Sequence, residues 1–229
     1  MGQKVSPFLQ RIGFIRTWHS RWFAKPKDYA KFIQEDYKVR KFIKSRFKQA
    51  AISKVVIERL AERIKIRIFS ARPGIIIGRH GSDIERLRED LNGMLKKEMS
   101  IDIEEIKNPA LDAQLVAENV ALQLEKRIAF RRAIKRAIEQ TMSSGGKGIK
   151  ISCAGRLGGA EMSRTETYKQ GSIPLATLRA DIDYGFAESL TTFGLIGIKV
   201  WLYKGDVLIK KAVEEIEAEN VKVPAQKPA

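Results

Sequence analysis

Cysteine, histidine and long apolar runs are all scarce in this sequence. The single cysteine, Cys153, excludes an intrachain disulfide, and its place in the apolar run IKISCAG points to a buried neutral thiol in a reducing, cytosolic setting. With only His19 and His80 present, no imidazole-based triad or metal set suggests itself. The longest apolar stretch, Gly194 to Tyr203, is too short to span a bilayer and is interrupted by Lys199, so neither a transmembrane helix nor a membrane partner is expected. Gln, Arg and Lys break up MGQKVSPFLQRIGFIR every few residues, so export is not expected either. MGQKVS fits the short myristoylation pattern through Gly2 and Ser6, a match read as coincidence. No Gly-Lys-Ser/Thr follows any glycine loop and GxGxxG is absent, which leaves NTP hydrolysis without a motif.

Positive charge is what the chain has in excess. Lys and Arg total 43 against 27 Asp and Glu in 229 residues, a net charge of +16, which favours a polyanionic partner: nucleic acid first, an anionic membrane second. A hydrophobic content of 44% is enough for one large or two modest folded cores.

From Met1 to Ala24 the chain reads as an arm in which Phe14, Trp18, Trp22 and Phe23 interleave with Arg11, Arg16 and Arg21. The arginines are the RNA candidates, since guanidinium groups bind phosphate and stack on bases; the aromatics are expected to pack the arm onto the following domain. Asp28 is a candidate N-cap, and Tyr29, Phe32, Ile33, Tyr37, Ile43 and Phe47 recur at helical spacing, predicting one amphipathic helix over 28–48. Ile64, Ile66 and Ile68 alternate with Lys65 and Arg67, predicting two strands between Lys54 and Ser70. A helix from Ser82 or Asp83 to about Lys97 and a strand at SIDIEEI follow, and Asn108-Pro109 marks a domain boundary.

Residues 110–143, rich in Ala, Leu and Gln, predict one long helix or two joined end to end, stopped by GGKG at 145–148. Strands near 149–154, 165–170, 180–188 and 196–203 complete a second, helix-plus-sheet domain. Past Gly205 the aromatics vanish and a charged, Pro-containing end predicts a mobile tail. No internal repeat has a convincing period.

Three basic constellations and one acidic pair carry the functional argument. In IIIGRHGSDIERL an apolar run meets Gly78-Arg79-His80-Gly81 and a helix begins at once; paired glycines let a nucleic-acid backbone approach, while the helix N-terminus offers N–H donors and Arg79 a charge. The same bare spacing recurs at Gly145/Gly148, Gly155/Gly158 and Gly194/Gly197, so it is the flanking strands and helix that favour a KH-like loop here over a connection that never touches RNA. In KRIAFRRAIKRAI, helical placement puts Arg127, Arg131, Arg132, Lys135 and Arg136 on one arc and Phe130, Ala133, Ile134 and Ile138 opposite. Five like charges without an interspersed acid repel, and a phosphate backbone supplies the missing counter-charge. In CAGRLGGAEMSRTETYKQG, glycines combine with Arg156, Arg164, Lys169 and the hydroxyls of Ser163, Thr165 and Thr167 as a second RNA-facing surface. Arg179, Asp181 and Asp183 share a strand face, open either to a Mg²⁺-dependent nuclease or, with more weight, to cross-strand ion pairing.

With those residues placed, the chain resembles the bacterial ribosomal protein S-three family nearly end to end. The resemblance rests on MGQKVSP, WHSRWFA, IIIGRHGSDIERLR, FRRAIKRAI, GRLGGAEMSRTE, LRADIDYG and GLIGIKVWLYKG in the family's order. It implies an α+β fold: an N-terminal arm, helix and type II KH-like domain over 1–108, a C-terminal two-layer α/β domain of two helices on a four-stranded sheet over 109–205, and a charged tail over 206–229. It further implies no enzyme, no cofactor, and a place in a ribosome of the cytoplasm or of a bacterial-type organelle. There the protein would bind small-subunit rRNA in the head, touch neighbouring small-subunit proteins, and help line the mRNA entry channel. The family's messenger-contacting residues carry over onto Arg131, Arg132 and Lys135, and the GRHG loop carries over as KH-like; Arg127 and Arg136 come from helical geometry alone. A free-standing KH-type regulator or chaperone is the competing reading, and the nuclease the third.

Overall fold

The protein is described here by a computed structural model covering residues 4–60, 63–95 and 97–207. Two four-stranded sheets, each with helices against one face, make an α+β molecule. The expected mobile tail lies, from residue 208 on, outside the described residues.

Among the described residues the arm has a single turn, α1 (Pro7–Gln10), and one strand, β1 (Ser20–Arg21), which pairs in parallel with β2 (Ile52–Leu60). Helix α2 (Pro26–Arg46) starts two residues before the sequence suggested, and its N-cap is Lys25 rather than Asp28. Pro26 occupies the first helical position, where a missing N–H costs nothing, while Asp28 sits in the first turn and meets the positive end of the helix dipole. The buried face also differs from the expected one. Asp36, Val39 and Ile43 point inward, whereas Tyr29, Ile33 and Tyr37, spaced by four, form an exposed row of their own.

Strands β2 (Ile52–Leu60) and β3 (Arg63–Ser70) pair antiparallel, short α3 (Pro73–Ile77) and α4 (Ser82–Leu95) follow, and β4 (Glu98–Glu105) returns parallel to β3. The β3 alternation holds residue by residue: Ile64, Ile66 and Ile68 are buried against Val39, Ile43, Ile76, Leu87 and Leu91. The αββααβ order is that of a KH-like domain.

Asn108 and Pro109 fall between β4 and the next helix. Asp112 caps α5 (Ala113–Glu125) by accepting from Gln114 N at 3.0 Å and Leu115 N at 3.1 Å. A second helix, α6 (Phe130–Ser143), begins after a turn in which Arg127 adopts φ +60°. The two are therefore not joined end to end; both lay their apolar stripes on one sheet face, which a single straight rod could not do. That sheet runs β6-β5-β8-β7, all antiparallel, from β5 (Gly148–Gly155), β6 (Arg164–Gly171), β7 (Ala180–Thr191) and β8 (Gly194–Asp206). Gly185 lets α5 abut β7, because a Cβ there would stand 2.2 Å from the Ala113 carbonyl oxygen. Cys153 is buried in this core, and burial pushes its thiol up to about 12, so it is an inert apolar side chain.

Candidate nucleic-acid interface

Helix α6 forms the ridge. Ala133, Ile134, Ala137 and Ile138 are buried in the C-terminal core, and Arg131, Arg132, Lys135 and Arg136 are exposed on the other side. The period of 3.6 that seats four apolar residues on the sheet necessarily lifts the four cations into solvent. Arg131 comes within 3.9 Å of Glu166; among the described residues no ion pair forms at Arg132, Lys135 or Arg136. Arg127 requires correction: it lies in the turn before α6, so it is exposed but does not share the helical arc. A left-handed residue cannot continue a helix face.

The segment expected to act as one second surface is split between two faces. Arg164 donates to Glu166 at 3.0 Å, which brings it to the ridge side. Partial burial raises the Glu166 carboxyl, but hydrogen bonds from Tyr168 and Arg164 and the charge of Arg131 hold it below its ordinary range. Lys169, one residue out of phase, projects from the opposite face of β6. Arg156 is a correction: its Nε donates to the Ala160 carbonyl at 2.9 Å and its Nη1 to the Phe193 carbonyl at 3.3 Å, closing the 157–160 loop rather than offering free charge.

In the arm the expected division of labour is reversed. Arg11 is fully buried and donates to the carbonyls of Ala180, Pro7, Leu175 and Thr177, so its guanidinium is turned into the fold and out of reach of RNA. Arg16 is half-buried, 2.6 Å from Asp181 and 3.9 Å from Asp183. Arg21 alone of the three is exposed, donating to Thr17 Oγ1 at 2.7 Å. Phe14, Trp18 and Phe23, expected to pack, are exposed instead, and only Trp22 is enclosed, its indole donating to Asp36 at 2.9 Å. The cause is a carbonyl-lined socket and two carboxylates on β7 and its approach, which take up the guanidinium groups.

Those carboxylates are thereby accounted for as ion-pair partners. Asp183 also lies 3.4 Å from Lys204 and accepts from Ala113 N at 3.3 Å, while Arg179 turns to Asp206 at 3.0 Å. Among the described residues no group of three potential metal ligands occurs. His19 sits beside this cluster with its ring 4.8 Å from Phe8. Burial first, then the charges of Lys54, Arg40 and Arg16 against a weaker pull from Asp183, lower its pKa to about 4.

The GRHG loop joins α3 to α4. Gly78 has φ +71° and His80 φ +55°, and both Arg79 and His80 are exposed. A Cβ at Gly78 would stand 2.2 Å from Asp83 Oδ2, so glycine is required there. The helix end is not bare, however: Asp83 and Glu85 occupy the first turn of α4 and already answer part of its dipole.

One group of residues escaped the sequence reading. Lys150, Ser152, Tyr184, Phe186, Lys199 and Trp201 stand together on the C-terminal sheet face turned away from α5 and α6. The alternation of Lys199 and Trp201 with Ile198, Val200 and Leu202 is the signal that marks their side of β8.

Comparison with known proteins brings the two halves under one heading. Residues 38–111 match the KH domain family, and residues 120–202 match the family described as ribosomal protein S3, C-terminal domain. The chain is 58% identical over 217 residues to the small ribosomal subunit protein uS3 of Desulfitobacterium hafniense, covering 95% of this chain and 99% of that relative. It is 58% identical over 211 residues to the protein of the same name from Geobacter sp. strain M21, with 92% and 100% covered, and 54% identical over 220 residues to that of Carboxydothermus hydrogenoformans, with 96% and 99% covered.

Proposed function

From the small ribosomal subunit protein uS3 family, to which this chain belongs, we propose that it is a structural, non-enzymatic constituent of the small ribosomal subunit that works by binding RNA. In this reading it binds small-subunit rRNA in the head, touches neighbouring ribosomal proteins there, and helps form the mRNA entry channel. The functional division is an arm and KH-like unit over 1–108 and a C-terminal unit from 109, which the last residue of β8 extends from the expected 205 to Asp206.

The observation that carries it is the ridge on α6. Arg132, Lys135 and Arg136 are exposed and without ion pairs among the described residues, on a helix whose other side is locked into the core. Cations on a rigid backing hold phosphates without a backbone ordering cost, and a strand drawn past them is kept extended while translation supplies the energy. The GRHG loop adds Arg79 and His80 at a second place, and the exposed row Tyr29, Ile33 and Tyr37 suits a protein neighbour.

The test replaces Arg131, Arg132 and Lys135 with Ala in assembled small subunits and measures messenger crosslinking at the entry side. Loss of that contact is expected, and unchanged contact refutes the assignment. Gradient fractionation of a lysate separates this reading from a free-standing RNA regulator: fixed stoichiometry with small subunits is expected, and sedimentation with many RNAs instead would overturn it.

A further inference from the structure

The two sheets present opposite kinds of open face. On the N-terminal sheet the side turned from the helices is internally neutralised: Arg63 pairs with Glu98 at 3.3 Å, Lys65 with Asp102 at 2.9 Å, Arg21 with Glu58 at 3.4 Å, and Arg67 with Glu58 and Glu104. On the C-terminal sheet, registered pairing sets Lys169, Lys150, Trp201 and Tyr184 in one row across the four strands, and Thr167, Ser152, Lys199 and Phe186 in a row beside it. These two rows hold three cations, three aromatic side chains and two aliphatic hydroxyls, and no acid. No ion pair forms at Lys150, Lys169 or Lys199 among the described residues.

The aromatic geometry leaves ring surface available. Tyr184 and Trp201 have centroids 5.5 Å apart but are tilted by 55°, so they do not consume each other by stacking, and Phe186 is 42% exposed. Lys150 Nζ stands 5.1 Å from the Trp201 ring, where it polarises the indole and remains in reach of a phosphate. The arm, through Lys4, Ser6 and Pro7, walls one side of a cavity of about 720 Å³ above Lys150, Ser152, Tyr184, Lys199 and Trp201. That is ample for a nucleotide, given that small-ligand sites run to about 300–1,000 Å³.

We propose that this open sheet face is a base-stacking platform for an unpaired segment of small-subunit rRNA, with Trp201, Tyr184 and Phe186 beneath the bases and Lys150, Lys169 and Lys199 on the phosphates. A four-stranded antiparallel sheet bearing adjacent aromatics and flanking cations is a general solution for unstacked bases. The occupant is distinct from the strand at the ridge, because α6 lies across the opposite face and the sheet separates the two. It is resident rather than moving: stacking holds about 1–3 kcal/mol per base, and a messenger that must advance would be arrested by it. The proposal rests on the reading of the chain as an RNA binder, not on the ridge.

Two measurements test it. A benzophenone side chain introduced at Phe186 of the full chain, assembled into small subunits, is expected to crosslink to unpaired rRNA nucleotides; crosslinking to messenger, or only to protein, overturns the proposal. In solution the full chain is titrated with a fluorescein-labelled nine-nucleotide oligoadenylate. Trp201→Leu, folded by circular dichroism, is expected to weaken binding about 5- to 150-fold, Trp201→Tyr to restore most of it, and exposed Phe186→Ala to weaken it without any risk to the core. Wild-type protein that ignores the oligonucleotide defeats RNA binding as a whole. Wild-type binding that neither Trp201→Leu nor Phe186→Ala alters defeats the platform alone.

Discussion

The Nε of Arg11 donates to the carbonyl oxygen of Ala180 at 2.7 Å, joining residues 169 positions apart. Further along the arm Arg16 meets Asp181, the Ser20 hydroxyl and the Trp22 indole both reach Asp36, and Ile57 N donates to the His19 carbonyl at 2.8 Å. The arm is therefore a strap that engages the C-terminal sheet first and the N-terminal sheet second. Arg11→Ala removes the guanidinium donor from four carbonyls, two of them buried and two partly buried, and empties its socket; it is expected to destabilise the full chain by about 2–4 kcal/mol in urea unfolding, whereas exposed Arg21→Ala is expected to stay within about 0.5 kcal/mol.

Glycine is needed unequally across the GRHG loop. Both outer glycines have positive φ, but a Cβ at Gly78 strikes Asp83 at 2.2 Å, while one at Gly81 meets only Ile84 Cγ2 at 3.9 Å. Gly78→Ala is expected to cost about 2–3 kcal/mol and Gly81→Ala about 1 kcal/mol, measured by thermal or denaturant unfolding. Equal costs would mean that backbone conformation alone decides.

Arg127 bears a left-handed backbone without the compensations of glycine. Arg127→Gly is expected to raise stability by up to about 1 kcal/mol and to leave the salt dependence of RNA binding nearly unchanged. Removing Arg131, Arg132 and Lys135 is expected to lower the log–log salt slope by about 0.7 per lost phosphate contact on a single strand. The pair of measurements separates the turn from the ridge.

His19 makes docking of the arm sensitive to acid. Its imidazole is protonated in the folded chain only near 4, against an ordinary value of 6.5 once released, so between those values the unfolded state binds the additional proton. Stability is expected to fall as pH drops from 6.5 towards 4, and His19→Phe, which keeps the contact with Phe8, to flatten that dependence. Parallel unfolding curves at pH 7 and pH 5 for both proteins provide the check.

Much of the architecture was legible because it is written in local periodicity. Ile64, Ile66 and Ile68 alternate with charge, and Ala133, Ile134, Ala137 and Ile138 recur at helical spacing, so the face each element buries follows from the backbone geometry of that element. Where a second element competes for the same side chains, local pattern misleads. Tyr29, Ile33 and Tyr37 fit a helical stripe as well as Val39 and Ile43 do, yet only the latter find a sheet to cover them. The break at Arg127 was likewise hidden, since a run rich in Ala and Leu favours helix throughout and only the need to cover one sheet face folds it back.

By itself the sequence determined the charge of the chain, the order of its elements, the buried and exposed sides of β3 and α6, and, through its motifs, the family to which it belongs. Only the tertiary structure decided that Arg11 lies inside and Phe23 outside, and that Lys150, Trp201 and Tyr184 stand in one row. The physical reason is range. Helix and strand periods are set by bonds between near neighbours, whereas a strand's partner and register, and the burial of a guanidinium, depend on groups up to 169 positions away.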